Sequence, residues 1–163
     1  APALLDFAAD GDLVIVERAG QDVEDLAAIV ARVHASGLMA SEKNEPRIGV
    51  DPYGIGSILD AIVAAGVPRE LVVGISQGWK LGAAIKTAER KLADGTLVHG
   101  GSGMMAWCVG NARVEPKGNS ILITKQASGA GKIDPLMAAF DAVSLMALNP
   151  VAQKPKEYRL LFV

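Results

Sequence analysis

Aromatic rings are scarce in this chain, at 4% of its 163 residues. With half the residues hydrophobic, Ala, Val, Ile and Leu must build the core, and such small side chains suit helices packed closely on a sheet. Cysteine is nearly absent. The single Cys108 excludes an intrachain disulfide and any multi-cysteine metal site, and fits a reducing compartment. Its apolar setting, Met104-Met105-Ala106-Trp107-Cys108-Val109, favours a buried structural thiol over a nucleophile. An excess of charge is also missing: 16 Lys and Arg against 18 Asp and Glu leave a net −2. That is not the basic footprint of a stand-alone nucleic-acid binder, so any such contact must come from a local patch or a neighbouring domain. No apolar run nears the ~20 residues of a membrane span, and the start carries no cationic, apolar leader. The chain reads as soluble, cytoplasmic and without a membrane partner.

What is present alternates. The length suits one domain, able to bury roughly two-thirds of the surface its unfolded chain exposes. Leu13-Val14-Ile15-Val16 is a β-branched run between the turn signal Asp10-Gly11-Asp12 and Gly20, and predicts a first strand. Val23, Leu26, Ala27, Val30 and Val33 then stripe a helix from about Val23 to Ala35, stopped at Gly37. Ser41 to Pro46 predicts an exposed loop. Ile48-Gly49-Val50 and Leu71-Val72-Val73-Gly74-Ile75 predict short buried strands of the parallel kind. Between them, Ile55, Ile58, Leu59, Ile62 and Val63 keep helical spacing. A further helix runs from about Trp79 to Ala93, with Lys80, Lys86, Arg90 and Lys91 on its polar face, and Met104 to Val109 predicts a short one. Arg113-Val114-Glu115 and Ile121-Leu122-Ile123-Thr124 flank Pro116-Lys117-Gly118-Asn119 as a hairpin. Residues 127 to 131 lead as a loop into a late helix that opens at Asp134. Tyr158 to Val163 suggests an edge strand. These elements predict an α/β domain with a mixed sheet flanked by helices over residues 1–150, and a C-terminal tail or edge strand over 151–163.

Two Asp-Pro dipeptides stand at element junctions. Asp51 follows Ile48-Gly49-Val50 directly, at the strand edge where open α/β sheets bind ligands. Asp134 opens the late helix. Each has a plainer reading as a helix cap, since Asp is favoured there and Pro is common at the next position. Together they form candidate oxygen ligands for a hard cation such as Mg²⁺ or Mn²⁺. A two-metal site usually wants a third acid. Asp141 is about 10 Å along the helix from Asp134 by rise alone, too far to share a metal easily. Gly129-Ala130-Gly131-Lys132 fails as a phosphate loop, because Gln126 and Ile133 stand where a Gly and a Ser or Thr are needed. Lys125 and Lys132 near the acidic helix start can touch a DNA phosphate or only water. His34 and His99, the two histidines, show no ligand spacing, and no nucleophile motif such as GxSxG accompanies them.

Taken in order, several stretches resemble the C-terminal nuclease domain of tailed-phage terminase large subunits. They are Gly49-Val50-Asp51-Pro52-Tyr53, Ser76-Gln77-Gly78-Trp79-Lys80-Leu81 and Gly95-Thr96-Leu97-Val98-His99-Gly100-Gly101. Met104 to Asn111, with Trp107, and then Lys125 and Lys132-Ile133-Asp134 complete the set, which spans roughly residues 11 to 148. The resemblance implies a ribonuclease-H-like fold and a two-metal endonuclease that cuts concatemeric double-stranded phage DNA during packaging in the bacterial cytoplasm. It implies Asp51 and Asp134 as catalytic, metal-binding acids for Mg²⁺ or Mn²⁺, and Lys80, Lys125 and Lys132 as weaker candidates for DNA contact. Its partners would be the terminase ATPase domain, the small terminase subunit and the portal protein. The family's first acid lies on the first strand of the fold, ahead of Ala1-Pro2-Ala3. The chain thus reads as a fragment lacking its first strands, with an incomplete metal site and little activity alone. Outside that reading stand a non-catalytic module docking on portal or DNA, its acids serving as caps, and another ribonuclease-H-like nuclease such as a resolvase.

Overall fold

A computed structural model of the chain describes residues 2–39, 45–125 and 131–151. Its elements run α1 (Pro2–Ala9), α2 (Gln21–Ala35), β1 (Ile48–Val50), α3 (Gly56–Ala64), β2 (Val72–Gly74), α4 (Gly82–Ala93), α5 (Gly103–Gly110), β3 (Ala112–Lys117), β4 (Ser120–Lys125) and α6 (Asp134–Met146). The mixture of parallel and antiparallel pairing expected from the sequence is present, divided between two ladders. β1 and β2 pair in parallel, Ile48 against Val72 and Val50 against Gly74. Arg47 N–H to the Leu71 carbonyl and Ile75 N–H to the Val50 carbonyl, both 2.8 Å, extend that ladder at each end. β3 and β4 form the predicted hairpin, its two-residue turn at Gly118-Asn119 closed by Lys117 opposite Ser120.

Two apolar clusters hold these pieces. Ala27 of α2, Ile62 of α3, Val67, Leu71 and Val72 are buried around the parallel pair. Leu81, Ala84, Ile85 and Ala88 meet Ile123 of β4 and Ile133, Phe140 and Val143 on the α6 side. The helix predicted from Trp79 divides into a 3₁₀ turn at Gly78–Leu81 and α4. α6 bridges the halves, since it packs against both α4 and β1. Its approach to β1 depends on Gly49. A Cβ there would lie 2.9 Å from Ile75 Cγ1, 3.3 Å from Leu145 Cδ1 and 3.5 Å from the Asp141 carbonyl oxygen. Glycine in the strand therefore lets the helix sit directly on it.

The predicted first strand differs. Residues 13–16 are irregular, with Val14 72% and Ile15 56% exposed. A β-branched run becomes a strand only when a neighbour completes its ladder, and none does so among the described residues. Part of the predicted loop at Ser41–Pro46, most of that at 127–131 and the edge strand at 158–163 lie outside the described residues, as does all of the 151–163 tail except Val151.

Candidate functional site

The carboxyl ends of β1 and β2 open side by side, and Asp51 is the first residue past β1. Its exposed carboxylate bends back on the chain, Oδ1 accepting the Tyr53 N–H at 3.0 Å in an Asx turn. The helix that follows starts at Gly56 with Ile55 in the N-cap position, so Asp51 does not cap it. The chain leaving β2 contributes Gln77. Its Nε2 donates to the Ile75 carbonyl and to Asp141 Oδ1, each at 3.0 Å. Asp141 is the one buried charged side chain among the described residues, 5% exposed. Burial pushes its carboxyl up from the ordinary carboxylate range; the Gln77 hydrogen bond opposes the rise, and the negative charge of Asp51 adds to it. The Asp51 charge thus reaches Asp141 at the strand ends. Beside them lies a cleft of about 370 Å³ lined by Pro52, Tyr53, Ser76, Gln77 and Lys80.

Asp134 stands elsewhere on α6. It is the first helical residue, behind Ile133 at the N-cap, and its exposed carboxylate adds negative charge to the positive end of the helix dipole. Ile133 is buried at 5% exposure and fastens the start of the helix to the core. Asn111, at the C-cap of α5, donates from Nδ2 to the Lys132 carbonyl at 3.2 Å. A Cβ on Gly131 would come within 2.9 Å of the Asn111 side chain, so the approach to Asp134 is seated on α5 with no room to spare. Cys108, one turn earlier on α5, is buried as expected, and its thiol is pushed up by burial first and by the Asp134 charge second. A thiol so placed is not an activated nucleophile.

α5 is itself held from a distance. Asp12 Oδ2 accepts the Ser102 hydroxyl at 2.6 Å and the Met104 N–H at 3.4 Å, while Ser102 Oγ accepts the Met105 N–H at 3.4 Å as the N-cap. Asp12 therefore serves a helix terminus. His99 Nδ1 accepts the Gly101 N–H at 3.2 Å within its own turn. Lys80 lines the cleft, whereas Lys125 ends β4 and Lys132 precedes α6, all three exposed. Among the described residues no three His, Cys, Asp or Glu side chains converge as a ready metal cluster. Sequence reading gave Gln77 no role of its own and missed the buried state of Asp141. A polar residue on the apolar face of α6 was the only available signal for the latter.

A family model described as the terminase large subunit, endonuclease domain, matches residues 15–149. The chain belongs to that family. The crystal structure of the bacteriophage HK97 large terminase is similar in fold, with a TM-score of 0.57 and 24% sequence identity over 74% of this chain. The match spans 24% of that large terminase. No curated protein matches the chain in sequence. The mixed α/β architecture thus stands on the pairing pattern, and its kinship in fold with that large terminase on the structural likeness. Among the described residues of this terminase domain, no helix is long and apolar enough to cross a membrane.

Proposed function

We propose that this terminase domain cuts double-stranded phage DNA at the carboxyl ends of β1 and β2, with Asp51 and Asp134 as the acids that hold Mg²⁺ or Mn²⁺. The observation that carries the reading is that neither acid is the cap its Asp-Pro context suggested. Asp51 lies five residues ahead of its helix start, and the N-cap position before Asp134 is filled by Ile133. Each leaves an exposed carboxylate at an element junction. The donor set fits a hard cation in kind, all oxygen, and supplies part of a ligand set rather than the whole. When bound, such a cation would activate a water and stabilise the leaving oxygen of a phosphodiester. The chain's own contribution is orientation. The Asx turn fixes Asp51, the Ile133 and Asn111 contacts seat the approach to Asp134, and Gln77 keeps Asp141 turned to the strand ends. Lys80 offers a cation to the DNA backbone, as do Lys125 and Lys132 with less support. On this reading the domain works in the host cytoplasm beside the terminase ATPase domain, the small subunit and the portal.

Plasmid nicking in Mn²⁺ by the full-length large subunit that carries this domain tests the assignment. Asp51→Ala and Asp134→Ala should each lower it by more than about 100-fold, beyond the range typical of residues that only support a ligand. Calorimetry of Mn²⁺ should show weaker binding in both. Nicking and Mn²⁺ affinity unchanged in both variants would return the domain to a docking role.

A further inference from the structure

In a chain with so few aromatic rings, their placement is informative. A folded domain gains most by burying them. Phe140 is buried, and Phe7 packs on Trp107 with ring centroids 5.7 Å apart. Tyr53 and Trp79 do otherwise, at 84% and 57% exposure. Both belong to the loops that leave the parallel strands. The Tyr53 backbone is pinned to Asp51 by the Asx turn, and Tyr53 lines the 370 Å³ cleft. The Trp79 backbone is pinned as well, its carbonyl accepting the Ser120 hydroxyl at 3.0 Å. Lys80 lines the same cleft with its Nζ 6.0 Å from the Trp79 ring centroid, so the ammonium is held beside an aromatic face.

A cation, a hydroxyl, a carboxamide and an exposed ring around one small cleft match the parts of a nucleotide. Lys80 and Ser76 suit a phosphate, and Tyr53 offers a flat apolar face to a base. In intact B-form DNA the base faces are covered by their neighbours, so the ring is useful only to a base that has left the stack. We infer that this cleft is a subsite for an unpaired nucleotide of a DNA strand, with Tyr53 as its stacking platform and Lys80 at the adjoining phosphate. The inference rests on the proposal that the strand ends act on DNA, and adds that a base there is out of the duplex.

Fluorescence anisotropy of labelled oligo-dT and of a blunt duplex of equal length, in Ca²⁺ buffer, tests it. Tyr53→Ala should weaken binding of the single strand about 5- to 150-fold, the loss of one stacked base, and leave duplex affinity nearly unchanged. Tyr53→Phe should retain the single-strand affinity, and Lys80→Ala should weaken both ligands. Because Tyr53 is so exposed, its variants should melt with the wild type. Equal loss on both ligands, no loss with Tyr53→Ala, or no single-strand binding by the wild type would overturn the subsite. The two proposals fail separately. Unchanged nicking in the aspartate variants defeats the cutting assignment, whereas the subsite is read from Tyr53 binding without cutting.

Discussion

The two Asp-Pro junctions share a dipeptide and little else. At Asp51 the carboxylate is oriented by the chain's next two residues, through the Tyr53 N–H. Its charge bears on Asp141, which Gln77 reaches across 64 residues of sequence. At Asp134 no such turn is found among the described residues. The residue is placed by a buried Ile133 before it and by Asn111, 21 residues away from the Lys132 carbonyl that it grips. One acid is set by a turn, the other by a tertiary seat. The first should tolerate changes around it, and the second should fail when its seat is loosened.

Ile133→Ala should break the comparison most sharply. Deleting a buried Ile side chain typically costs about 2–5 kcal/mol through lost burial and the cavity left behind. The side chain belongs to the cluster that joins α4, β4 and α6. Urea unfolding should therefore show a markedly lower midpoint with little change in slope. A loss under about 1 kcal/mol, the scale of a conservative core trim, would mean that the Asp134 end is not seated on the core.

Asn111→Ala is the finer probe of the same end. It removes one hydrogen bond to the Lys132 carbonyl and leaves the carboxylate itself in place. Supporting partners of metal ligands usually matter by 10–100-fold, and a carbonyl two residues from the ligand belongs at the low end. Mn²⁺ affinity should fall about tenfold, while the Tyr53 effect on single-strand binding should be unaltered. No change in Mn²⁺ affinity would place Asp134 outside the site or show its position to be set without Asn111.

Much of this was legible in the chain. Periodicity placed α2, α3 and α4 near their observed limits, and Pro116 to Asn119 marked the hairpin, because both signals are short-range and carry their own geometry. The run Leu13-Val14-Ile15-Val16 misled because strand propensity describes a surface that fits a neighbour and cannot supply one. The Asp-Pro junctions could be found but not told apart. Asx turns use adjacent residues, whereas Gln77 to Asp141, Asn111 to Lys132 and Asp12 to Ser102 join residues that only the fold brings together. Asp141 was set aside on its distance from Asp134. Its real neighbours lie across α6 on the parallel pair, reached because Gly49 leaves the helix room to descend.

The smallest effect should separate the two ends electrostatically. Because the folded-state pKa of Asp141 is raised, folding favours its protonated form. Below the ordinary carboxylate value, about 3.9, both folded and unfolded chains hold the proton and the benefit is whole. As pH climbs through the raised value the unfolded chain has already released its proton, the folded chain must follow, and that stability is lost. Asp141→Asn cannot ionise, and its side-chain oxygen can still accept from Gln77. Its melting temperature relative to the wild type should thus rise from about pH 4 upward and level off once Asp141 is ionised. Asp51→Asn removes one cause of the shift and should shrink that rise when built into both chains. Asp134→Asn should leave it unchanged, since the Asp134 charge bears on Cys108 instead. A pH-independent difference between Asp141→Asn and the wild type would mean that the carboxyl titrates as an ordinary surface acid. An equal response to both outer aspartates would mean that the Asp134 charge reaches Asp141 as strongly as that of Asp51 does.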